Sequence, residues 1–205
     1  YEKFGQFIDG NWSPSSNKET YEVINPATEE VLGSASKATP EDVDRALKSS
    51  EKGLKIWRKI TPWERSYILR RIADKLREKK DVLAKWMTLE NGKPLAEGVG
   101  ETNGAADIFE WNAEETKRIF GQTIESRFED TRVHVYYQPV GVVAALSPWN
   151  FPLILAARKI STALAAGCSV IIKPDTITPG VVMELVDICR ECGVPPGAVN
   201  LLSGD

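Results

Sequence analysis

Residues 140–174 read VGVVAALSPWNFPLILAARKISTALAAGCSVIIKP, and this stretch decides the fold. It begins an alternating series, with predicted strands at 140–146, 169–173 and 199–202 and predicted helices at 152–166 and 179–192. The strands are continuous apolar runs, as in parallel sheets whose two faces are both covered by helices. Gly167 and Gly193 follow the helices, where left-handed caps are expected. The series predicts an α/β fold built on a parallel, Rossmann-like βαβαβ sheet.

A helical region and a hairpin precede this sheet. Short β-like segments occupy the first forty residues, and four helices are then predicted, at 40–59, 62–80, 81–90 and 94–120. Thr39 and Thr61 each stand before a proline and acidic residues, the pattern of a helix cap with proline at the first helical position. Asn91-Gly92 ends the third helix, and Gly121 is expected to cap the fourth. Two alternating runs within 123–138 predict a β-hairpin.

The composition argues against several classes of protein. The 205 residues include 26 basic and 29 acidic side chains, a net charge near −3, whereas a nucleic-acid binder carries a basic patch or stripe. The longest apolar runs are too short to span a bilayer, so no membrane partner is expected. Three cysteines do not make a disulfide framework and fit a reducing compartment, which we take to be the cytoplasm.

Cysteine and histidine offer little for metal binding or nucleophilic catalysis. Cys189 and Cys192 form a C-x-x-C pair, but no second pair accompanies it and the surrounding pattern is apolar and helical, which favours core packing over a redox or metal role. The single histidine, His134, alternates with Arg132 and Tyr136 and is predicted to lie on the exposed face of a strand. One histidine argues against a Ser-His-Asp triad or a zinc helix, and no metal site is predicted.

Two turns follow the first two strands of the series, at the sheet edge where ligands bind in such folds. Asn150 precedes the helix that Pro152 begins, and its amide either stabilises a developing oxyanion or merely caps the turn; the residues alone leave these two interpretations open. Lys173 ends the second strand, where it suits a ribose hydroxyl or a phosphate, although strand-ending lysines are usually just solvated. The absence of G-x-G-x-x-G from both turns disfavours an ordinary Rossmann dehydrogenase.

Several motifs together resemble the aldehyde dehydrogenase superfamily, most closely its succinate-semialdehyde dehydrogenase branch. They are PWNFP, ALAAGC and IIKP in the quoted stretch, GVPPGAVNLLSG at 193–204, and FIDGNW, INPATEE and ENGKP upstream. The resemblance implies an NAD- or NADP-dependent oxidation of a short aldehyde, with succinate semialdehyde or a similar carboxylated semialdehyde as the expected substrate. It also implies a nucleotide-binding domain at 1–120 and 139–205, incomplete at its C-terminus, and a bridging hairpin at 121–138 through which a homo-oligomer forms.

The resemblance also implies a role for individual residues. Asn150 would be the oxyanion amide, and Lys173 would bind the adenosine ribose. The remaining cofactor-binding residues would be Leu146, Pro148 and Trp149 on the nicotinamide side and Pro174, Asp175 and Thr176 beside Lys173. Because NAD-preferring relatives commonly carry glutamate where Thr176 stands, we expect a relaxed preference or one tilted toward NADP, unless Asp175 turns toward the ribose.

Arg158 is predicted to bind the substrate carboxylate. It lies eight residues after Asn150, roughly 12 Å along the predicted helix, and its side chain leans back toward the N-terminus. The semialdehyde branch carries an arginine at this point, and a guanidinium fork suits a carboxylate. The alternative is a surface arginine paired with a nearby acid.

The nucleophilic cysteine and the general-base glutamate of the family would lie beyond Asp205. The chain is therefore predicted to be part of a longer protein and to have no turnover by itself. A different class remains open: a non-catalytic module, derived from an aldehyde dehydrogenase, that binds a nucleotide or a partner chain.

Overall fold

The structure, a computed structural model, describes Tyr1 and residues 4–204; Asp205, the last residue of the predicted nucleotide-binding domain, lies outside the described residues. The strands are β1 Gln6–Ile8, β2 Asn11–Ser13, β3 Thr20–Ile24, β4 Val31–Ser36, β5 Gln122–Glu125, β6 Arg132–Val135, β7 Val142–Leu146, β8 Ser169–Lys173 and β9 Val199–Leu201. The helices are α1 Pro40–Trp57, α2 Pro62–Glu78, α3 Lys80–Asn91, α4 Leu95–Thr116, α5 Pro152–Ala165 and α6 Pro179–Glu191.

The main sheet has five strands in the order β2-β1-β9-β8-β7. Strands β7, β8 and β9 are parallel neighbours connected by α5 and α6, which confirms the predicted βαβαβ series. The N-terminal β1–β2 hairpin extends this sheet, because β1 pairs antiparallel with β9 through Phe7 and Leu201. The pairing joins the two ends of the described chain in a single sheet. Two further antiparallel pairs, β3–β4 and β5–β6, stand apart from it.

Helices cover both faces of the sheet, as the apolar strands predicted. Val170 and Ile172 of β8 belong to the main core with α5 and α6, whereas Ile171 between them packs with Ala46 of α1 on the other face. The helices α2, α3 and α4 pack on α5 and α6 and form a second helical layer. The C-terminal end of α1 is tied to α5 by the Trp57 indole, which donates a 2.8 Å hydrogen bond to the Leu164 carbonyl.

The helix ends follow the predicted capping residues with one exception. Thr39 and Thr61 both form capping boxes, and Gly92 ends α3 in the left-handed conformation. The prediction that α4 reaches Phe120 and is capped by Gly121 is wrong, since α4 ends at Thr116 and short-range turns follow. Gly121 serves a different purpose: a Cβ there would lie 2.3 Å from the Val135 carbonyl oxygen, so only glycine permits this approach of the hairpin strands.

The hairpin β5–β6 is largely exposed to solvent. All four residues of β5 are exposed, and so is His134 of β6, as predicted. Large apolar side chains on and beside the hairpin, including Ile124, Val133 and Tyr136, are also exposed. A two-stranded sheet with so little burial has little core of its own.

Candidate cofactor and aldehyde site

The turns after β7 and β8 meet at one edge of the sheet. Leu146 and Lys173, the last residues of the two strands, are in register, and the Ser147 N–H donates a 3.0 Å hydrogen bond to the Lys173 carbonyl. The parallel pairing therefore brings the Asn150 turn and the Lys173 turn side by side. This is the edge at which the sequence predicted the site.

A cavity of about 570 Å³ opens beside these turns, on the sheet face that α1 covers. Leu146 and Lys173 line it from the sheet, Val43 and Leu47 line it from α1, and Ser203 follows β9. The volume lies within the range of small-molecule and cofactor sites, whose walls are mostly apolar with a few polar groups. The lining is mostly apolar and includes two charged side chains, the Lys173 ammonium and the Asp44 carboxylate.

The turn after Lys173 is well ordered by its own hydrogen bonds. The Asp175 carboxylate accepts a 3.0 Å bond from the Ile177 N–H, and the Asp175 carbonyl accepts one from the Thr178 N–H. This is an Asx turn, so the carboxylate already has a backbone partner. Pro174 is buried, and Thr176 is half-buried.

Asn150 lies exposed in the turn between β7 and α5, next to exposed Pro148 and Trp149. Helix α5 has Phe151 at its N-cap and no side-chain capping bond, and within Tyr1 and 4–204 the Asn150 amide side chain has no hydrogen-bond partner. The capping interpretation of Asn150 is therefore wrong in this structure. The amide is free to meet a ligand.

The backbone of the same turn is held from α3 and α4. The Asn91 side-chain amide donates a 3.1 Å hydrogen bond to the Trp149 carbonyl, and Lys93 Nζ donates a 3.3 Å hydrogen bond to the Asn150 carbonyl. Lys93 also forms a buried ion pair with Glu101, and Glu101 Oε1 accepts bonds from the first free N–H groups of α5. Sequence reasoning did not identify Lys93 and Glu101 as members of the site, because Lys93 stands in ENGKP, a motif that indicates only the family, and Glu101 lies outside every motif quoted above.

Arg158 lies on α5 two turns beyond Asn150 and is exposed. Among the described residues its guanidinium has no acidic partner, so the interpretation as a surface ion pair is wrong here. It lines a second cavity of about 520 Å³ together with Val143 of β7 and Thr162 of α5. An unpaired guanidinium at the rim of a cavity is available to an anionic ligand.

The three cysteines are free and buried, which confirms the prediction of core packing for Cys189 and Cys192. Burial raises the pKa of the Cys189 thiol, and burial likewise raises the pKa of Cys192. Thiols in this state are poor nucleophiles. The part of the chain that the structure describes contains no group of three potential metal ligands and no helix that is long and apolar enough to cross a membrane.

Comparison with known sequences agrees with the motifs. The aldehyde dehydrogenase family profile matches residues 12–205. The chain is 44% identical over 198 residues to glutarate-semialdehyde dehydrogenase of Pseudomonas putida, covering 97% of this chain and 41% of that protein. It is 43% identical over 197 residues to the NADP(+) succinate-semialdehyde dehydrogenase GabD of Escherichia coli, with 96% and 41% coverage. The chain thus spans about two-fifths of the length of these relatives.

Solved structures of two enzymes are also similar to this chain. An E. coli NADP-dependent enzyme superposes with a TM-score of 0.97 at 42% identity, covering 100% of this chain and 43% of that one. Betaine aldehyde dehydrogenase from Staphylococcus aureus, in complex with NAD+, superposes with a TM-score of 0.96 at 37% identity, covering 98% and 40%. Both similarities extend over the whole α/β architecture described above.

Proposed function

The chain belongs to the aldehyde dehydrogenase family, and from this premise we propose that the full-length protein oxidises a short carboxylated semialdehyde to the acid with NAD or NADP. The observation that carries the proposal is the arrangement on one helix: a free Asn150 amide just before α5 and an unpaired Arg158 on it. One group suits the aldehyde oxygen and the other a carboxylate. Two relatives are named for glutarate and succinate semialdehydes, which carry both groups.

The reaction proposed for the full-length protein starts with a cysteine thiolate that adds to the aldehyde carbon. The carbonyl π electrons move to oxygen, and the Asn150 amide donates a hydrogen bond to the oxyanion so formed. Re-formation of the carbonyl from this oxyanion would expel a hydride from the substrate carbon and leave a thioester, and NAD or NADP, when bound, would supply the hydride acceptor. Water then attacks the resulting thioester, helped by a general base, and releases the acid and the thiol. Since Cys168, Cys189 and Cys192 are buried, the nucleophile is proposed to come from outside residues 1–205.

The cofactor is proposed to lie across the edge formed by β7 and β8. Lys173 would hold the adenosine ribose or its phosphate, with Pro174, Asp175 and Thr176 beside it. Leu146, Pro148 and Trp149 would flank the nicotinamide side. The cavity between these strands and α1 supports the proposal, because it is mostly apolar and of sufficient volume for the adenosine.

Arg158 is proposed to determine the substrate class, and its replacement tests the function. In the full-length protein, Arg158→Ala is expected to lower kcat/KM about ten- to a thousandfold for succinate semialdehyde, because charge-assisted hydrogen bonds are strong. An uncharged aldehyde of equal length should lose little. The matched control is Arg118→Ala, which removes an exposed arginine that pairs with Glu115. An equal loss on both aldehydes would refute the assignment, and no aldehyde oxidation by the unchanged full-length protein would favour the non-catalytic module.

A cofactor preference that is relaxed or shifted toward NADP is proposed from the Lys173 turn. Thr176 is neutral and does not repel a 2′-phosphate, and Lys173 supplies a positive charge. The Asp175 carboxylate accepts a hydrogen bond from the Ile177 N–H. This bond supports the proposed cofactor preference, because it engages the carboxylate within the turn. Steady-state rates with both cofactors test the proposal. A preference for NAD of a hundredfold or more would overturn it.

The hairpin at 121–138 is proposed to bridge copies of the full-length protein in a homo-oligomer, while 1–120 and 139–205 form the nucleotide-binding domain. Exposed apolar residues such as Ile124, Val133 and Tyr136 support an association role. Light scattering of the full-length protein with Ile124→Glu and Val133→Lys replaced together tests this. An unchanged mass would contradict it.

A further inference from the structure

A buried pair of oppositely charged side chains contacts the turn that carries Asn150. Lys93 lies between α3 and α4, and Glu101 lies two turns into α4. Their side chains are 7% and 1% exposed, respectively, and they form an ion pair with each other. Each then uses its remaining capacity on the Asn150 turn or on the helix that follows it.

The ammonium of Lys93 makes two contacts with the turn. It donates a 3.3 Å hydrogen bond to the Asn150 carbonyl, and it lies 4.4 Å from the centre of the Phe151 ring, in a cation–π contact. Both neighbouring positions of the turn are therefore held by one charged group. The Trp149 carbonyl, one residue earlier, is held separately by the Asn91 amide.

The carboxylate of Glu101 holds the other side of the turn. Its Oε1 accepts bonds of 2.9 and 3.0 Å from the N–H groups of Leu153 and Ile154, in the first turn of α5. Helix N-termini favour a negative charge, and these N–H groups have no partner within the helix. Glu101 thus caps α5 from a different helix, where the local sequence supplies no side-chain cap.

We propose that Lys93 and Glu101 are positioning residues that hold the 149–154 backbone so that the Asn150 amide faces the aldehyde oxygen; this inference rests on the proposed function. Burying two charges is costly, and apolar residues often replace such pairs without loss of stability. The geometry therefore assigns the pair to orientation. A misplacement of about 1 Å in a catalytic group lowers a rate by up to about a hundredfold.

Lys93→Met tests the proposal in the full-length protein, because methionine keeps much of the aliphatic stem and removes the charge. We expect kcat for the semialdehyde to fall about ten- to a hundredfold, with the KM for the cofactor within about threefold of its original value. The double variant Lys93→Met/Glu101→Gln removes both charges, so it leaves no lone charge in the core. It should show the same loss. Lys117→Met is the matched control, since Lys117 also combines an ion pair with a cation–π contact, to Glu114 and Trp63, away from the turn.

Combination with Asn150→Ala distinguishes positioning from a general structural role. Asn150→Ala alone should lower kcat about a hundred- to a thousandfold, the loss typical of an oxyanion donor. Adding Lys93→Met to it should lower kcat by less than about threefold more, because the group being positioned is gone. An unchanged kcat in a folded Lys93→Met/Glu101→Gln variant would overturn the proposal. So would kcat losses of Lys93→Met and Asn150→Ala that multiply when the two changes are combined.

Amide hydrogen exchange of the full-length protein gives a readout that does not depend on turnover. In Lys93→Met/Glu101→Gln, peptides covering 149–154 should exchange about tenfold faster or more, while those covering β8 and α6 stay unchanged. If Asn150→Ala leaves kcat intact, the oxyanion role fails, and exchange at 149–154 still decides whether the pair holds the turn. Unchanged exchange there would refute the positioning role in either case.

Discussion

Replacing Glu90 with glutamine is expected to remove a pH dependence of stability from this chain. Glu90 lies in the last turn of α3, in the core, where its Oε1 and Oε2 accept hydrogen bonds of 2.8 and 3.3 Å from the Gly180 and Val181 N–H groups at the start of α6. The Tyr1 hydroxyl donates to the same carboxylate. Burial raises the pKa of Glu90 from 4.5 to about 7, although these three hydrogen bonds favour its charged form.

The sign follows from the linkage of proton binding to folding. Between pH 4.5 and 7 the folded state retains a proton that the unfolded state releases, so stability is fully present below pH 4.5 and is lost as the pH rises through 7. With these two pKa values, the free energy of unfolding falls by about 2.5 kcal/mol between pH 5 and pH 8 through this group alone. Glutamine keeps the shape and an acceptor oxygen but does not ionise.

Urea unfolding of the unchanged chain and of Glu90→Gln, at pH 5, 6, 7 and 8, measures this contribution. The stability difference between the two proteins should shift in favour of Glu90→Gln by about 2.5 kcal/mol over that range. Glu78→Gln serves as the control, because Glu78 is exposed and pairs with Lys75 on its own helix. A difference that stays constant within about 0.5 kcal/mol from pH 5 to pH 8, or one that shifts the other way, would refute the reasoning.

Two further predictions concern packing. Gly53→Ala should lower the melting temperature by several degrees or prevent folding, because a Cβ there would lie 2.0 Å from the Gly197 carbonyl carbon. Gly100→Ala in α4 should raise the free energy of unfolding by about 0.5–1 kcal/mol, because a Cβ there meets nothing within 4 Å. Circular dichroism melts compare the two variants, and equal effects would contradict the packing. The thiols of Cys189 and Cys192 should react with an aromatic disulfide reagent at pH 8 only as the chain unfolds, because burial raises the pKa of both; rapid labelling of the native chain would contradict this.

Short-range signals account for the part of the fold that sequence reasoning predicted well. The bounds of β8 matched at both ends, because the apolar run of 169–173 is enclosed by Gly167 and Pro174. The start of α5 at Pro152 matched for the same reason. The pairing of β1 with β9 had no such signal, since Phe7 and Leu201 are brought together only by the folded chain. The end of α4 was missed because Gly121 meets the steric need of the hairpin and does not cap the helix.

The same distinction explains the candidate site. Asn150 follows β7, Lys173 ends β8, and Arg158 lies on the helix that begins at the sheet edge. Local sequence patterns predict these elements and therefore also predict where the three residues lie. No such pattern predicts where Lys93 and Glu101 lie, because among 26 basic and 29 acidic side chains nothing local tells which ones will be buried. Apolar periodicity identifies the buried face of a helix by its hydrophobic residues, and a charge at such a position appears only as an interruption. A charged pair that supports a catalytic turn therefore becomes visible only when the folded chain shows which backbone groups it contacts.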